Sequence, residues 1–593
     1  MEQMVNAQVS LNLLKNHIDI RKVPFSDRGS RLLVFCDPER YQLTVKLAER
    51  LTNVQPDIEA YLRRPPFISE MAFIDEEGHE LPFSITTYPH VLIFKTSLGE
   101  FRLALQDERT LSIGLPDQTL SGIRFHVSPQ HWEQTRQGGV FRSVRNLTYA
   151  SNAEIFDNVI IPERGGYRVE MLVRTATDQT LNISIHPIET ATQGDVLPFS
   201  TIQTVAENRW DSWFKRIPAV EEKYLKAYSY AWWIMGNNLI SPLGKVSFEA
   251  MMPSKIQYVG LWLWDSALHA LAYRHVDPDL ARNQIRAMLA HQLPNGMLPD
   301  AVYDEGLVYT INHPIIGEVT KPPILSWAAL KIHEISPDIE FLKEIYPALE
   351  RFNAWWFSHN DDDNDGLVQY THPYSSGLDN SPLWDYGMPV ESPDINTYLC
   401  LQMETFARIS EILGNMDESR MWQRRTTALV RRMIKDMWDE EAGLFWALEN
   451  ERPIPVVTPF NLLPLWTGRL SMEMNQRLIN HLLDPNEFAG PFLFPTVARN
   501  DPHYDPEVMW RGPVWANINY FFVEALEKVG RKDLSDQLMY RTLDLIASHA
   551  DIYEFYNGET GKPPATAANI FGWTAAVFID LAIRASQTPK QDS

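Results

Sequence analysis

From about residue 206 onward, apolar residues recur at helical spacing in a dozen segments, and the gaps between them alternate between very short and very long. The segments are 219–241, 265–275, 277–292, 322–335, 338–358, 393–413, 416–438, 461–468, 471–483, 514–530, 532–549 and 570–585. A residue or two near Val276, Pro337, Asn415, Arg469 and Gly530 makes each short connection, whereas 242–264, 293–321, 359–392, 440–460, 484–513 and 550–569 are long. In antiparallel helices such alternation puts every long loop at the same end. Six helical hairpins closed in a ring, an (α/α)6 barrel, satisfy the pattern. Loops beyond about 12–15 residues within a compact domain are usually functional, so that end is the expected working face.

The first part of the chain reads differently. Short β-branched or aromatic runs at 31–36, 90–95, 101–104, 110–113, 124–127, 158–161, 168–175 and 181–186 are punctuated by turn signals such as Ser97-Leu98-Gly99 and Arg164-Gly165-Gly166. Within 168–174 the apolar residues alternate with the period of a half-buried antiparallel strand. One helix is predicted near 40–52. The expectation is a multidomain β + α chain: an N-terminal antiparallel β-sandwich-like domain over 1–205, then an all-α barrel over 206–593.

Charge and cysteine content narrow the function. With 53 basic against 76 acidic residues the formal net charge is −23, which argues against nucleic acid as the main partner, because phosphate binding needs a Lys/Arg footprint. Only Cys36 and Cys400 occur, so neither a disulfide framework nor a thiolate metal site is expected. Met1 to Asn6 has no basic n-region or apolar h-region, and no run approaches the roughly 18 apolar residues of a membrane span. The reading is a cytoplasmic protein with no membrane partner.

The long loops, with the helix starts they feed, hold Trp262, Trp264 and Asp265; Asn295, Asp300 and Tyr303; Asp379, Asn380, Trp384 and Asp385; Phe445 and Trp446; Phe492, Phe494, Trp510 and Arg511; Glu554 and Tyr556. Flat aromatic platforms beside short polar groups suit a sugar, which presents apolar C–H faces and hydroxyl edges. Splitting a glycosidic bond takes two carboxyl groups flanking it, and two loops offer them.

Asp379 follows Gly377-Leu378 and precedes Asn380-Ser381-Pro382, a turn able to project a carboxyl group into a cleft, where neighbours such as Trp384 would help keep it protonated. Its alternatives are an Asx turn or a helix cap, and Asp385 is a rival in the same loop. Glu554, between Tyr553 and Phe555, would accept a proton from water; a solvated loop glutamate is the other reading, and Glu559 fits that better. Asp265 reads as an N-cap, compatible with sugar binding. Arg511 would grip a hydroxyl or carboxylate, or pair with a loop acid.

Asp361-Asp362-Asp363-Asn364-Asp365-Gly366 resembles half of a calcium loop, but the twelfth position from Asp361 is His372 rather than a bidentate Glu. A solvated turn is the main reading and a structural calcium the minority one. His269, His291 and His313 lack ligand spacing, so no catalytic metal and no cofactor are expected.

Trp262-Leu263-Trp264-Asp265, Gly377-Leu378-Asp379-Asn380-Ser381-Pro382, Trp510-Arg511-Gly512-Pro513-Val514-Trp515-Ala516-Asn517, Glu554-Phe555-Tyr556-Asn557 and Phe571-Gly572-Trp573 together carry a family likeness. Over about 210–588 the chain resembles glycoside hydrolase family 63, the inverting α-glucosidase group that also includes bacterial mannosylglycerate and glucosylglycerate hydrolases. The resemblance implies Asp379 as general acid and Glu554 as general base, with Trp262, Trp264 and Asp265 holding the sugar. It adds Trp573 to the substrate-binding set of Asn380, Trp384, Trp510, Arg511 and Tyr556. Gly558 stands where relatives often carry proline. The leading expectation is an α-glucoside-cleaving enzyme acting on a small oligosaccharide or glycoside. A trehalase-like or glycerate-glycoside hydrolase, a non-catalytic carbohydrate-binding protein and a histidine-dependent epimerase are the alternatives.

Overall fold

The computed structural model describes residues 4–50, 66–143, 145–186 and 194–587. A first helix, α1 (Ala7–Leu14), precedes fourteen strands: β1 (Leu32–Asp37), β2 (Gln42–Leu47), β3 (Ile68–Ile74), β4 (Ser84–Thr87), β5 (Leu92–Thr96), β6 (Gly99–Leu105), β7 (Thr110–Gly114), β8 (Leu120–Val127), β9 (His131–Thr135), β10 (Gly138–Arg142), β11 (Asn146–Ser151), β12 (Glu154–Glu163), β13 (Gly166–Arg174) and β14 (Thr180–His186). They form two sheets, ordered β1-β2-β3-β8-β13-β12 and β4-β5-β6-β7-β14-β11-β10-β9. Every pairing in both is antiparallel. Aromatic residues join them: Phe73 of the first sheet stacks on Phe101 of the second at 4.2 Å, and Phe125 meets Tyr149 at 5.7 Å.

Each strand run predicted from sequence falls on one of these strands. The helix expected near 40–52 does not form over its described part, because Leu43 and Val45 point inward at alternate positions and β2 pairs with β1 instead; Leu51 and Thr52 lie outside the described residues.

Helices follow: α2 (Phe199–Phe214), α3 (Leu225–Asn237), α4 (Leu263–Tyr273), α5 (Pro278–Leu289), α6 (Leu325–Ile335), α7 (Ile339–His359), α8 (Pro393–Ile412), α9 (Met416–Asp436), α10 (Met472–Leu483), α11 (Ala516–Lys528), α12 (Lys532–Ala547) and α13 (Gly572–Gln587). The unpredicted α2 spans the expected boundary at 205/206. The segment expected at 461–468 is two 3-10 turns, Pro459–Asn461 and Leu463–Thr467, since Pro459 and Pro464 withhold backbone donors.

Short turns link α4 to α5, α6 to α7 and α8 to α9, and their side chains start the second helix of each pair. Asp277 accepts from the Leu280 amide at 3.1 Å, Asp338 from Phe341 at 2.9 Å and Asn415 from Glu418 at 3.4 Å. Packing runs from α4 to α6, to α8, to Leu463–Thr467, to α11, to α13 and back to α4. Trp327, Tyr398, Trp466 and Phe521 meet ring to ring in the middle of this circuit, with Trp466 stacked on Phe521 at 5.0 Å. Because α4, α6, α8, α11 and α13 each follow a long connection, their first turns gather at one end.

The β-rich half leans on the loops at that end. Arg31 makes a two-pronged pair with Asp304 at 2.6 Å, and Arg28 another with Glu249 at 2.6 and 2.8 Å. The buried Lys255 ammonium donates to Ser26 Oγ at 3.2 Å and to the Asp27 carbonyl at 3.1 Å. Among the described residues no helix is long and apolar enough to cross a membrane.

Candidate active site

Asp379 is presented by a turn built for that purpose. The 3-10 turn Pro373–Ser376 ends at Gly377, whose φ of 75° is the left-handed conformation that glycine adopts without a Cβ penalty. A Cβ there would lie 2.4 Å from Trp264 Cζ2, so the loop rests directly on that indole. Ser376 Oγ accepts from the Leu378 amide at 2.9 Å, and the Trp384 indole N–H donates to the Leu378 carbonyl at 2.7 Å. Asp379 is thereby fixed with its side chain 34 % exposed. Burial pushes its carboxyl up to about 6, against the pull of Lys321, whose Nζ is 3.7 Å away.

Glu554 is 3 % exposed and held by fixed donors. Tyr258 Oη donates to Oε1 at 2.8 Å and the Ala568 amide to Oε2 at 3.2 Å. Burial pushes this carboxyl up to about 8; the two donors oppose the rise and the charge of Asp379 adds to it. The Tyr258 hydroxyl is in turn driven well above the usual phenol range, by burial first and then by Glu554, Asp379 and Asp265. Two loops distant in sequence thus bring Asp379 and Glu554 into one electrostatic environment around Tyr258.

A third carboxyl, Asp265, is buried in the first turn of α4 and pushed well above the ordinary carboxylate range by burial, with Lys321 the main relief. It is not the helix cap: Trp262 holds that position. Lys321 Nζ lies 2.8 Å from Asp300 Oδ1 and also donates to the Tyr374 carbonyl. Tyr303, three residues beyond Asp300, carries the Arg50 guanidinium of the β-rich half 4.5 Å above its ring.

Indoles line the other side. Trp264 meets Trp573 edge-on at 5.3 Å and Trp510 at 6.1 Å; Trp510 stacks on Trp515 at 3.6 Å, and Trp515 on Phe555 at 4.8 Å. Trp262 stands edge-on to Tyr258 and Tyr303 at 5.4 and 5.6 Å. Trp573 Nε1 is buried with no protein partner.

The remaining residues singled out by sequence brace the loops. Asn380 Oδ1 accepts from the Trp510 amide at 3.0 Å, joining the Asp379 turn to the Trp510 loop. Arg511 pairs with Asp385 at 2.6 Å where both are part-exposed, and Trp384 spends its N–H on Leu378. The Tyr556 hydroxyl accepts from the Tyr553 amide at 3.1 Å, and its ring stacks on His549 at 5.3 Å. Glu559 is no free solvated side chain, since Arg499 holds both its oxygens at 2.7 Å.

Sequence reasoning passed over Tyr258 and Lys321, and noted Asp300 only among the loop residues. Tyr258 lies four residues before Trp262, and Lys321 ends the long 293–321 loop, but a lone Tyr or Lys in a loop carries no spacing signal. The aspartates at 361, 363 and 365 do cluster, with carboxylate oxygens within 4.8 Å of one another, and Arg432 pairs with Asp365 at 2.8 Å.

Comparison with known proteins identifies the family. The mannosylglycerate hydrolase of Thermus thermophilus is 26 % identical over 400 residues, covering 55 % of this chain and 95 % of that protein. The glucosylglycerate hydrolase of Mycolicibacterium hassiacum is 22 % identical, covering 54 % and 92 %. Among solved structures, the family 63 mannosylglycerate hydrolase from Thermus thermophilus in complex with glucose superposes with a TM-score of 0.52 at 23 % identity, over 60 % of this chain and 99 % of that one. A bacterial glucoamylase complexed with acarbose reaches a TM-score of 0.58 at 10 % identity, over 96 % and 95 %. At these identities the structural likeness speaks for the fold alone. The family described as mannosylglycerate hydrolase MGH1-like glycoside hydrolase domain matches residues 258–574, more than half of the chain. The chain therefore belongs to this family, within glycoside hydrolase family 63, and is a glycosidase.

Proposed function

We propose that this glycosidase hydrolyses the α-glycosidic bond of a small glycoside, an α-glucoside first, with inversion of the anomeric centre. Asp379 protonates the departing oxygen while Glu554 takes a proton from the attacking water. The observation that carries the reading is that Tyr258, hydrogen-bonded to Glu554, also feels the charge of Asp379, so that carboxyls from two distant loops act on one phenol. Trp262, Trp264, Asp265 and Trp573 would hold the sugar, with Asn380, Trp384, Trp510, Arg511 and Tyr556 supporting the loops around it. No metal or cofactor takes part in this reading. The same proposal divides the chain near residue 205 into a β-sandwich-like half and an (α/α)6 barrel. The end of the last long strand at His186 and the closed circuit of helix contacts support that division.

One feature favours the opposite roles: Glu554, at about 8, holds a proton more tightly than Asp379, at about 6. Substrate reverses the preference. A glycosidic oxygen beside Asp379 accepts a hydrogen bond and so favours the protonated acid, while a nucleophilic water joins Tyr258 and Ala568 as a donor to Glu554 and favours the ionised base. α-Glycosyl fluorides separate the two assignments, because fluoride departs without a proton. Asp379→Asn should keep most of its fluoride turnover and lose turnover of alkyl glycosides, whereas Glu554→Gln should lose both; the reverse pattern would exchange the roles. Proton NMR of the released sugar tests inversion, and retained configuration would overturn it.

A second substrate reading, a glucosyl- or mannosyl-linked glycerate, is favoured by the names of the relatives. A panel of α-glucosides, α-mannosides and their glycerate-linked counterparts distinguishes it from the first. The protein is expected to act in the cytoplasm.

A further inference from the structure

Lys321 is the cation around which the buried acids of the site are arranged, and the α-glycoside reading above gives it no task. It sits four residues before α6, at the end of the 293–321 loop, with 5 % of its surface exposed. Its Nζ is 2.8 Å from Asp300, donates to the Tyr374 carbonyl and stands 3.7 Å from Asp379. These contacts are unequal. Asp300 forms the closer ion pair and anchors the ammonium, although its Oδ1 lacks hydrogen-bond geometry; Asp379 stands further off, in Coulomb contact. A lysine needed merely to neutralise Asp300 would not stand at ion-pair distance from a second carboxyl whose proton is to be used.

We propose that Lys321 is a positioning residue for the acid step: its ammonium, anchored by Asp300, balances the negative charge that appears on Asp379 as that carboxyl gives up its proton. This rests on Asp379 being the acid. In the step the Asp379 O–H bond breaks and its proton goes to the glycosidic oxygen, which leaves with the electron pair of the C1–O bond. The water oxygen bonds to C1 and its proton goes to Glu554. Asp379 thus turns from neutral to anionic beside a cation that is already fixed in place, and a preorganised charge needs no rearrangement at the moment of reaction.

The groups facing Lys321 set the sign of its effect. Asp300, Asp379 and Asp265 all favour its charged form, and its charge in turn lowers Asp300, Asp379 and Asp265. His372 and Tyr374 feel the same charge and are both lowered by it. Arg50 acts on Asp300 in the same direction as Lys321, and the charges of Asp379 and Glu554 repel one another. Removing Lys321 should therefore make Asp379 a weaker acid.

The test uses the full chain and two substrates, an alkyl α-glycoside that needs protonation and an α-glycosyl fluoride that does not. Lys321→Met is expected to lower kcat on the alkyl glycoside by about a hundredfold, the lower end of what general acid catalysis supplies, and to change fluoride turnover by less than about tenfold. Lys321→Arg should recover part of the loss. The limb of the pH profile that disappears in Asp379→Asn should move to higher pH in Lys321→Met. Asp300→Asn, which keeps the cation and removes its strongest competitor for it, should move that limb to lower pH, and it provides the answer if Lys321→Met does not fold. Equal losses on both substrates in folded Lys321→Met, or an unmoved limb in Asp300→Asn, would overturn the proposal. Equal losses on both substrates in Asp379→Asn would instead overturn the assignment of Asp379 itself.

Discussion

Tyr258 Oη donates to Glu554 Oε1 at 2.8 Å across 296 residues of chain, and this bond stabilises the charged form of a carboxyl that burial otherwise neutralises. Tyr258→Phe removes the donor and leaves the ring. The Glu554 carboxyl then rises further; because it is the later of the two carboxyls to lose its proton in the free enzyme, the basic limb of kcat/KM moves to higher pH and the plateau falls. A hydrogen bond to a charged group is worth about 1.5–3 kcal/mol, which corresponds to a shift of roughly one to two pH units. An unmoved limb would mean that the phenol does not tune this carboxyl.

Glu554 also links stability to pH. Its folded-state value of about 8 lies above the ordinary 4.5, so the folded form binds the proton more tightly than the unfolded one. The group's contribution is fully present below about pH 4.5 and is lost as pH rises toward 8. Glu554→Gln carries no charge at any pH. Its Tm should therefore gain on that of the wild type between pH 5 and pH 9, as followed by thermal unfolding; a difference that stays constant would contradict the linkage.

Arg31 and Asp304 are 10 % and 5 % exposed and join at 2.6 Å, so breaking the pair strands a buried charge. Arg31→Ala is expected to cost about 3–5 kcal/mol in urea unfolding. Arg31→Leu combined with Asp304→Leu should cost much less, because no lone charge remains. KM should rise in the single variant, since Asp304 directly follows Tyr303 in the hairpin of the paired strands Ala301–Tyr303 and Gly306–Val308, beside the site.

The acidic loop at 361–366 should be indifferent to calcium. Asp365 already pairs with Arg432 at 2.8 Å, which takes one of the three clustered carboxylates away from a cation. Neither chelator nor millimolar calcium should move Tm; a calcium-dependent rise would establish the structural ion that the sequence left as the minority reading.

The helical half was legible because its signals are local. Asp277, Asp338 and Asn415 announce helix starts by residue type, and apolar spacing does the rest. The segment at Leu463–Thr467 defeated the same reasoning, since Pro464 changes its hydrogen bonding without changing its apolar pattern. β2 was read as a helix because a short run such as Leu43-Thr44-Val45 fits either period until its partner strand is known. In the site, Asp379 and Glu554 stood out as acids among aromatics. Tyr258 and Lys321 acquire meaning only through contacts with residues tens to hundreds of positions away. Trp384 and Tyr556 were legible as residents of the working face, but not as braces, because a hydrogen bond to a backbone carbonyl or amide leaves no trace in composition; Arg511, read also as a partner for a loop acid, does pair with Asp385.

The grip of the β-rich half on the loops, through Arg31, Arg28 and the cradle of Lys255, bears on how this enzyme can be dissected. The Thermus thermophilus relative is matched over nearly its whole length by little more than half of this chain, which suggests that the helical half is a self-sufficient unit to be cut out and kept. Here excision would leave Asp304 without its guanidinium and Lys255 without its acceptors, next to the hairpin that carries Tyr303. The added half is thus part of the mould in which the loops of the candidate site are cast, and a minimal version of this enzyme would need those loops redesigned, not simply trimmed.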